Sequence, residues 1–437
     1  MECPSFRYSC LDFVFTVVGV CTYLFDVGSD LWVATEFYLH GDFFWFGLVV
    51  AFLVLSSLVV QMFSWFWFEY DRELEGFNTQ SAAEKIIFGG EGRLRLRLLH
   101  VLHLGFLLRH ISAVEQGFSV WWRGRQDTEY AAYVTHDLSM LRLMEAFCES
   151  APQLVLLLYI ILHSGHARPI QCVSLAGSAV SIAWSVAMYH RSLRSFLVEK
   201  AKQGWGSSAL YFLWNLLLIA PRLASLALFY SALPLLGPAH FLLLWLPLFL
   251  WAWLQGTAFM DSTMGEWLYR TVVAVIWYFS WFNVAEGRSL WRGVVYHSFM
   301  VTDSAILLAW WWENREAEVP QTHTLALLMA LPAAYILGLL LKGLYYYCFH
   351  PKLRPPPARE EDEPDSVNNF RLFPLPNGSS HTQVSLPTPV WSLQPQAGSA
   401  SQLCNKRMAS LANIFYSSIP SIAYTCLPNG NTLSPGH

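Results

Sequence analysis

Apolar residues gather in ten blocks along the chain, at about 11–37, 43–68, 97–118, 137–163, 170–190, 207–235, 238–256, 267–285, 291–312 and 323–347. A helix needs about 20 mostly apolar residues to cross the hydrocarbon layer of a bilayer, so each block is a candidate span. Turn signals separate several of them: "HGD" at 40–42, "SGHARP" at 164–169 and "GP" at 237–238.

Polar positions between the blocks decide which ones cross. Lys and Arg collect on the cytosolic side of a membrane. Here they cluster at Arg93, Arg95 and Arg97, at Arg123 and Arg125, and at Arg191, Arg194, Lys200 and Lys202. Further clusters are Arg288 with Arg292, and Lys342 with Lys352 and Arg354. The loops at 39–42, 164–169, 236–239 and 313–322 carry only Arg168 and Arg315. With the basic loops inside, the third and eighth blocks have cytosolic flanks at both ends, so they enter and return. The pattern predicts an all-α polytopic membrane protein with eight transmembrane helices, two re-entrant helices and both termini in the cytosol. Residues 1–350 form its membrane domain. Residues 351–437, rich in Pro, Ser and Asn, read as a disordered cytosolic regulatory tail. Within that tail "ASLANIFYSSI" has apolar residues at helical spacing and is a candidate to dock on the membrane domain.

Composition agrees with this reading. Of 437 residues, 54% are hydrophobic and 13% charged, against about a quarter charged in soluble proteins. A net charge of −4 and the lack of a basic face argue against a nucleic-acid partner. The eight cysteines are scattered with no C-x-x-C pair, which speaks against a zinc site or a disulfide framework. Cys348, beside "KGLYYY", is a candidate for palmitoylation. The first block has no small-residue cleavage site and runs on past Asp26 into "GSDLW", so it reads as a retained span. No Walker A sequence, nucleotide fingerprint, H-E-x-x-H or nucleophile elbow is present, so neither an enzyme, a metal nor another cofactor is expected.

The informative residues are the polar ones at membrane depth. On the insertion scale a charge facing lipid costs about 2.5–3.5 kcal/mol, so such residues turn inward and are functional candidates. Asp26 and Asp30 share one face of the first span, and Asp12 lies near its cytosolic end. The fourth block carries Asp137, then Arg142, Glu145 and Glu149 as one stripe, followed by Pro152, which frees a backbone carbonyl. Asn215 and Arg222 lie in the sixth block, Asp303 in the ninth and Arg109 in the third. Acids outnumber bases and are distributed over the bilayer depth, which favours a stepwise polar track over a single point of helix-to-helix glue. Histidines 100, 103 and 110 read as interfacial packing. Trp32, Trp45, Trp65, Trp67, Trp121, Trp122 and Trp310 to Trp312 fit aromatic belts. Trp45 is also placed to contact a lipid leaving the track. "SAPQLVLLLYI" at 150–160 echoes "IAPRLASLALFY" at 219–230, as an internal repeat or by chance.

Four longer stretches carry a resemblance: "FDVGSDLWVA", "DLSMLRLMEAFCESAPQLVLLLYI", "YFLWNLLLIAPRLASLALF" and "EWLYRTVVAVIWYFSWFNVAEGR". Together they resemble the XK-related family of membrane proteins, in its caspase-activated branch, over residues 10–350. The resemblance implies a phospholipid scramblase of the plasma membrane with eight spans and two re-entrant helices. It also implies a single-span immunoglobulin-type glycoprotein as its chaperone subunit. Asp12, Asp26, Asp30, Glu149, Arg222 and Asp303 match family positions. Where the family has an acid before "YHR" in the fifth span, Met188 stands here, which puts in doubt a buried ion pair for Arg191.

In this light "DEPDS" in the tail reads as an executioner-caspase site. Asp362 would fill the distal acidic subsite and Asp365 the primary one, with cleavage before Ser366. Ser410, three residues after Arg407, is a lesser candidate for phosphorylation. The expected function is energy-independent movement of phospholipids, phosphatidylserine among them, opened during apoptosis by tail removal. An accessory membrane subunit and a solute transporter are the alternatives.

Overall fold

In hydrocarbon every backbone N–H and C=O must be satisfied within its own segment, so the apolar blocks become helices. The computed structural model describes residues 8–73, 81–88, 92–123, 128–196, 204–285, 289–315, 321–348 and 405–417, and among them no strand occurs.

Helix α1 spans Cys10–Leu39 and starts at a capping box, in which Ser9 and Asp12 each satisfy the other's backbone N–H. It reverses through Gly41 (φ +80°) into α2, Phe43–Glu73. A φ in that region costs a residue with a Cβ but not glycine. The third block divides into α4 (Gly92–Val101) and α5 (Gly105–Arg123), preceded by the short α3 (Ala82–Phe88). His103, with φ +60°, makes the turn between α4 and α5. The fourth block also divides, into α6 (Thr128–Cys148) and α7 (Ser150–Ser164). The break falls at Glu149, whose φ/ψ of −120°/−71° leaves the helical region three residues before Pro152, as the freed carbonyl predicts.

Helix α8 (Pro169–Arg194) follows the left-handed Gly165, and α9 (Trp205–Ala232) returns. The remaining long helices are α10 (Gly237–Leu254), α11 (Thr263–Phe279), α12 (Ser289–Asn314) and α13 (Gln321–Cys348). A last helix, α14 (Lys406–Ser417), forms from the tail segment expected to be helical.

Among the described residues seven stretches are long and apolar enough to cross a membrane: α1, α2, α6 with α7, α8, α9, α10 and α13. The eighth expected span, α12, has 26 residues but carries Arg292, His297 and Asp303 and falls outside that set. Helix α6 is central, with every residue from Tyr130 to Phe147 buried. It contacts α2, α5, α8 and α11, so its charged residues face protein on every side. A second bundle forms where α9 packs on α7, α12 and α13. The two echoing segments, in α7 and α9, are therefore neighbours. Tryptophans divide by environment: Trp32, Trp121, Trp122 and Trp310 are exposed, whereas Trp67 and Trp311 are buried in the core and do not belong to a belt.

Candidate functional site

The inward faces of α1, α6, α7 and α8 assemble one buried polar group. Asp26, Asp30, Arg142, Glu145 and Glu149 are all at most 3% exposed. Ser150 and Ser178 donate to the two carboxylate oxygens of Asp26 at 2.6 and 2.7 Å, and Ser174 donates to Asp30 at 2.8 Å. Arg142 pairs with Glu145, donates to Ser181 at 2.8 Å and lies 5.0 Å from the centre of the Tyr23 ring. Four carboxyl groups and one guanidinium are thus buried together, with the guanidinium bonded to Glu145. Asp30 Oδ2, Glu145 Oε1 and Glu149 Oε1 are shielded from solvent and have no partner within the protein. These are acceptors held ready at bilayer depth. The group suits ammonium, choline or hydroxyl groups and disfavours bare phosphate.

Asp12 lies eighteen residues before Asp30 on α1, about 27 Å along a helix axis, close to the ~30 Å hydrocarbon thickness. It is bonded to Arg191 at 2.7 Å. Arg191 therefore does form an ion pair, buried on its own side and partly exposed at Asp12, which corrects the doubt in part. In place of an acid at position 188, Asp12 of α1 supplies the partner, and Gly19, which lacks a Cβ, admits the Met188 side chain where α1 lies against α8. The thioether would stand 2.8 Å from a Cβ placed on Gly19. Around this pair opens a small cleft lined by Tyr8, Thr16, His136, Ser192 and Ser195 among others.

At the same end of the bundle the tail helix is pinned. Asn405 caps α14 through the Met408 N–H (3.1 Å) and donates to Asp137 at 2.6 Å. Arg407 donates to Asp71 and Asp137, each at 3.1 Å, and lies against the Trp67 and Tyr70 rings. Burial would weaken this cation, but Asp137 and Asp71 hold its pKa well above the ordinary guanidinium value. Arg109 approaches Asp137 from the other side at 2.9 Å. Met408, Leu411 and Ala412 join the main hydrophobic core, and Phe415 packs on His190. Ser410, on the opposite face, is exposed.

Arg222 and Asp303 do not join the carboxylate group. They pair with each other in the second bundle, and Asp303 also meets His240 Nε2 at 3.2 Å. Asn215 bonds the Tyr211 carbonyl of its own helix. Trp45 is half-buried and packs on Tyr159 at 5.6 Å between ring centres. His100 is buried in the core, within bonding distance of Ser64 at 3.1 Å, rather than at an interface. Asp362, Asp365 and Ser366 lie outside the described residues.

Two features escape a reading focused on charge. The serines of α8, Ser174, Ser178, Ser181 and Ser185, recur at helical spacing and are buried along one stripe. Their spacing is visible in "SLAGSAVSIAWS", but serine at membrane depth carries little penalty and so gives a weak signal. Arg407 is visible only as a residue before Ser410, because its partners Asp71 and Asp137 lie 336 and 270 positions away.

Comparison with known proteins agrees with this architecture. The family model described as "XK-related protein" matches residues 14–351. "XK-related protein 8" of Gasterosteus aculeatus is 56% identical over 422 residues, covering 95% of this chain and all of that one. The protein of the same name from Tetraodon nigroviridis is 55% identical, covering 95% and 99%. That from Pan troglodytes is 41% identical, covering 84% of this chain and 90% of its own. With a family match across the helical bundle and relatives alike over nearly their whole length, this chain belongs to the XK-related family.

Proposed function

We propose that the protein is a phospholipid scramblase that exposes phosphatidylserine at the plasma membrane during apoptosis. The observation that carries this reading is the buried group of four carboxyl groups, one guanidinium and a serine stripe, with acceptor atoms left over. A headgroup crossing hydrocarbon must exchange water for polar partners. Asp12 and Arg191 at one end, and Asp26, Asp30, Glu145 and Glu149 deeper in, supply them at intervals while the acyl chains stay in the bilayer. Trp45 is the exit contact. Phosphatidylserine, concentrated inside, runs down its own gradient, so no nucleotide is needed. In this arrangement eight helices cross, with α12 as the eighth. The α4–α5 pair and α11 are re-entrant, both termini are cytosolic, and a single-span immunoglobulin-type subunit escorts the chain.

The tail acts as a latch. Helix α14 inserts Arg407 between Asp71 and Asp137 and closes the cytosolic end of the bundle. Executioner caspases cut after Asp365, forty residues before Asn405. The cut turns an intramolecular contact into a bimolecular one and removes an effective concentration in the millimolar range. A twelve-residue helix then dissociates, and the population shifts to the open state. Full-length protein in liposomes containing fluorescent lipid tests the reading. Lipid should flip only after caspase treatment, with no accompanying solute uptake. Solute uptake without lipid flipping would make it a transporter, and neither activity would make it an accessory subunit.

A further inference from the structure

In the second bundle, where α9, α12 and α13 meet the C-terminal end of α11, positive charge exceeds the carboxylate that balances it. Arg222 of α9 pairs with Asp303 of α12. Lys342 of α13 has no such partner. Among the described residues it bonds only a histidine, His297 Nε2 at 2.9 Å. His297 Nδ1 is in turn 2.8 Å from the Tyr335 hydroxyl. An ammonium only donates, so Nε2 accepts, Nδ1 carries the proton, and the imidazole is neutral. With His240 neutral beside Asp303, two cations against one carboxylate leave a single positive charge. A cation among apolar helices is costly without an opposite charge.

The same residues line a space about the size of one water molecule. Trp214, Arg222, Ser280, His297, Tyr335 and Lys342 are among its lining residues, and none of the described ones is acidic. Arg222 uses Nε on the Tyr278 carbonyl (3.2 Å) and Nη1 on Asp303 and Ser304. Its Nη2 and the Trp214 Nε1 are shielded from solvent and have no partner within the protein. Their residues are only 2% and 6% exposed. Tyr335 accepts from His297, which leaves its own O–H to donate, and Lys342 keeps two N–H groups beyond the one on His297. The Lys342 ammonium also stands 5.1 Å from the Trp214 ring centre, so cation and indole belong to one site.

We propose that this space binds chloride, as a structural anion that ties α9 to α13. A site of this size takes an anion of one atom and excludes phosphate and carboxylate, and the flexible stem of Lys342 adjusts the fit. Its one negative charge equals the single positive charge left over. A halide only accepts, so it matches guanidinium, ammonium, indole and hydroxyl donors together. A water molecule would bring two O–H groups of its own to a wall made mainly of donors. Binding here does not depend on the protein moving lipid.

The test uses purified full-length protein in detergent micelles, with sodium chloride or bromide exchanged against sodium gluconate at constant ionic strength. The melting temperature of the native chain should rise with chloride and level off as the site fills. Bromide should act likewise, whereas gluconate is too large for the space. Lys342→Met removes the charge that the anion balances and should abolish the dependence. Trp214→Phe removes one N–H donor and should raise the half-saturating chloride concentration about tenfold. It keeps the test open if Lys342→Met does not fold. Glu149→Gln, in the carboxylate group, should respond as the native chain does. No chloride-dependent rise, or one that climbs without levelling off as a general salt effect does, would overturn the proposal. So would an unchanged half-saturating concentration in either Lys342→Met or Trp214→Phe.

Discussion

Asp26 and Asp30 sit one turn apart on α1 yet differ in what binds them. Both carboxylate oxygens of Asp26 are held by serines from α7 and α8, whereas Asp30 keeps one oxygen unpartnered. Asp26 is therefore the more structural of the pair and Asp30 the more available. Asp26→Ala should lower expression and thermal stability, since it strands two buried hydroxyls at a cost of about 1–3 kcal/mol each. Asp30→Leu and Glu149→Leu should reach the surface at near-native levels and lose most lipid flipping after caspase treatment. If both scramble normally, the carboxylates are only structural. Ser410 belongs to the same scale. Its flank Arg407 is buried while α14 is docked, so a kinase that reads arginine should label Ser410 poorly in the intact chain. Labelling should rise in the Asp71→Asn, Asp137→Asn double variant.

Among the elements, α14 and α13 make the sharpest claims. Arg407→Ala removes the cation between two buried acids, a change that costs about 3–5 kcal/mol in buried pairs. Because Arg109 still serves Asp137, the loss should fall on α14 docking rather than on the bundle. The intact variant should flip lipid without caspase, and an excess of peptide 404–418 should close the cleaved native protein. Constitutive closure of Arg407→Ala would remove the latch. On α13, a Cβ at Gly338 would stand 3.1 Å from the Leu217 backbone of α9. Gly338→Leu should separate the two helices and lower stability by about 1–3 kcal/mol, measured as a fall in melting temperature in detergent.

For the molecule as a whole, the question is which side of the membrane the tail occupies. The chain carries a sequon at Asn377-Gly378-Ser379, which is modified only in the lumen. No glycan is expected there, and its detection would invert the topology and exclude the caspase reading. Asp365→Ala should abolish activation by caspases with no change in surface level, because the primary subsite requires an aspartate. Asp362→Ala should slow cutting without stopping it. A chain ending at Asp365 should scramble unprompted if release of α14 suffices, and stay closed if the escort subunit must also assemble.

The all-helical architecture, nearly every helix, the break before Pro152, the inward position of the charges and the helix in the tail all follow from local pattern. They follow because backbone polarity, apolar length and the cost of a charge in hydrocarbon are properties of a segment and its solvent, with no need to know the neighbours. The serine partners of Asp26 and Asp30, the Asp12–Arg191 pair and the grip of Asp71 and Asp137 on Arg407 depend on residues well over a hundred positions apart. So does the division of the charges into an acidic group around α6 and the Arg222–Asp303 pair beside α9. Each of these is set by which faces of different helices meet, and packing settles that only when the whole bundle closes.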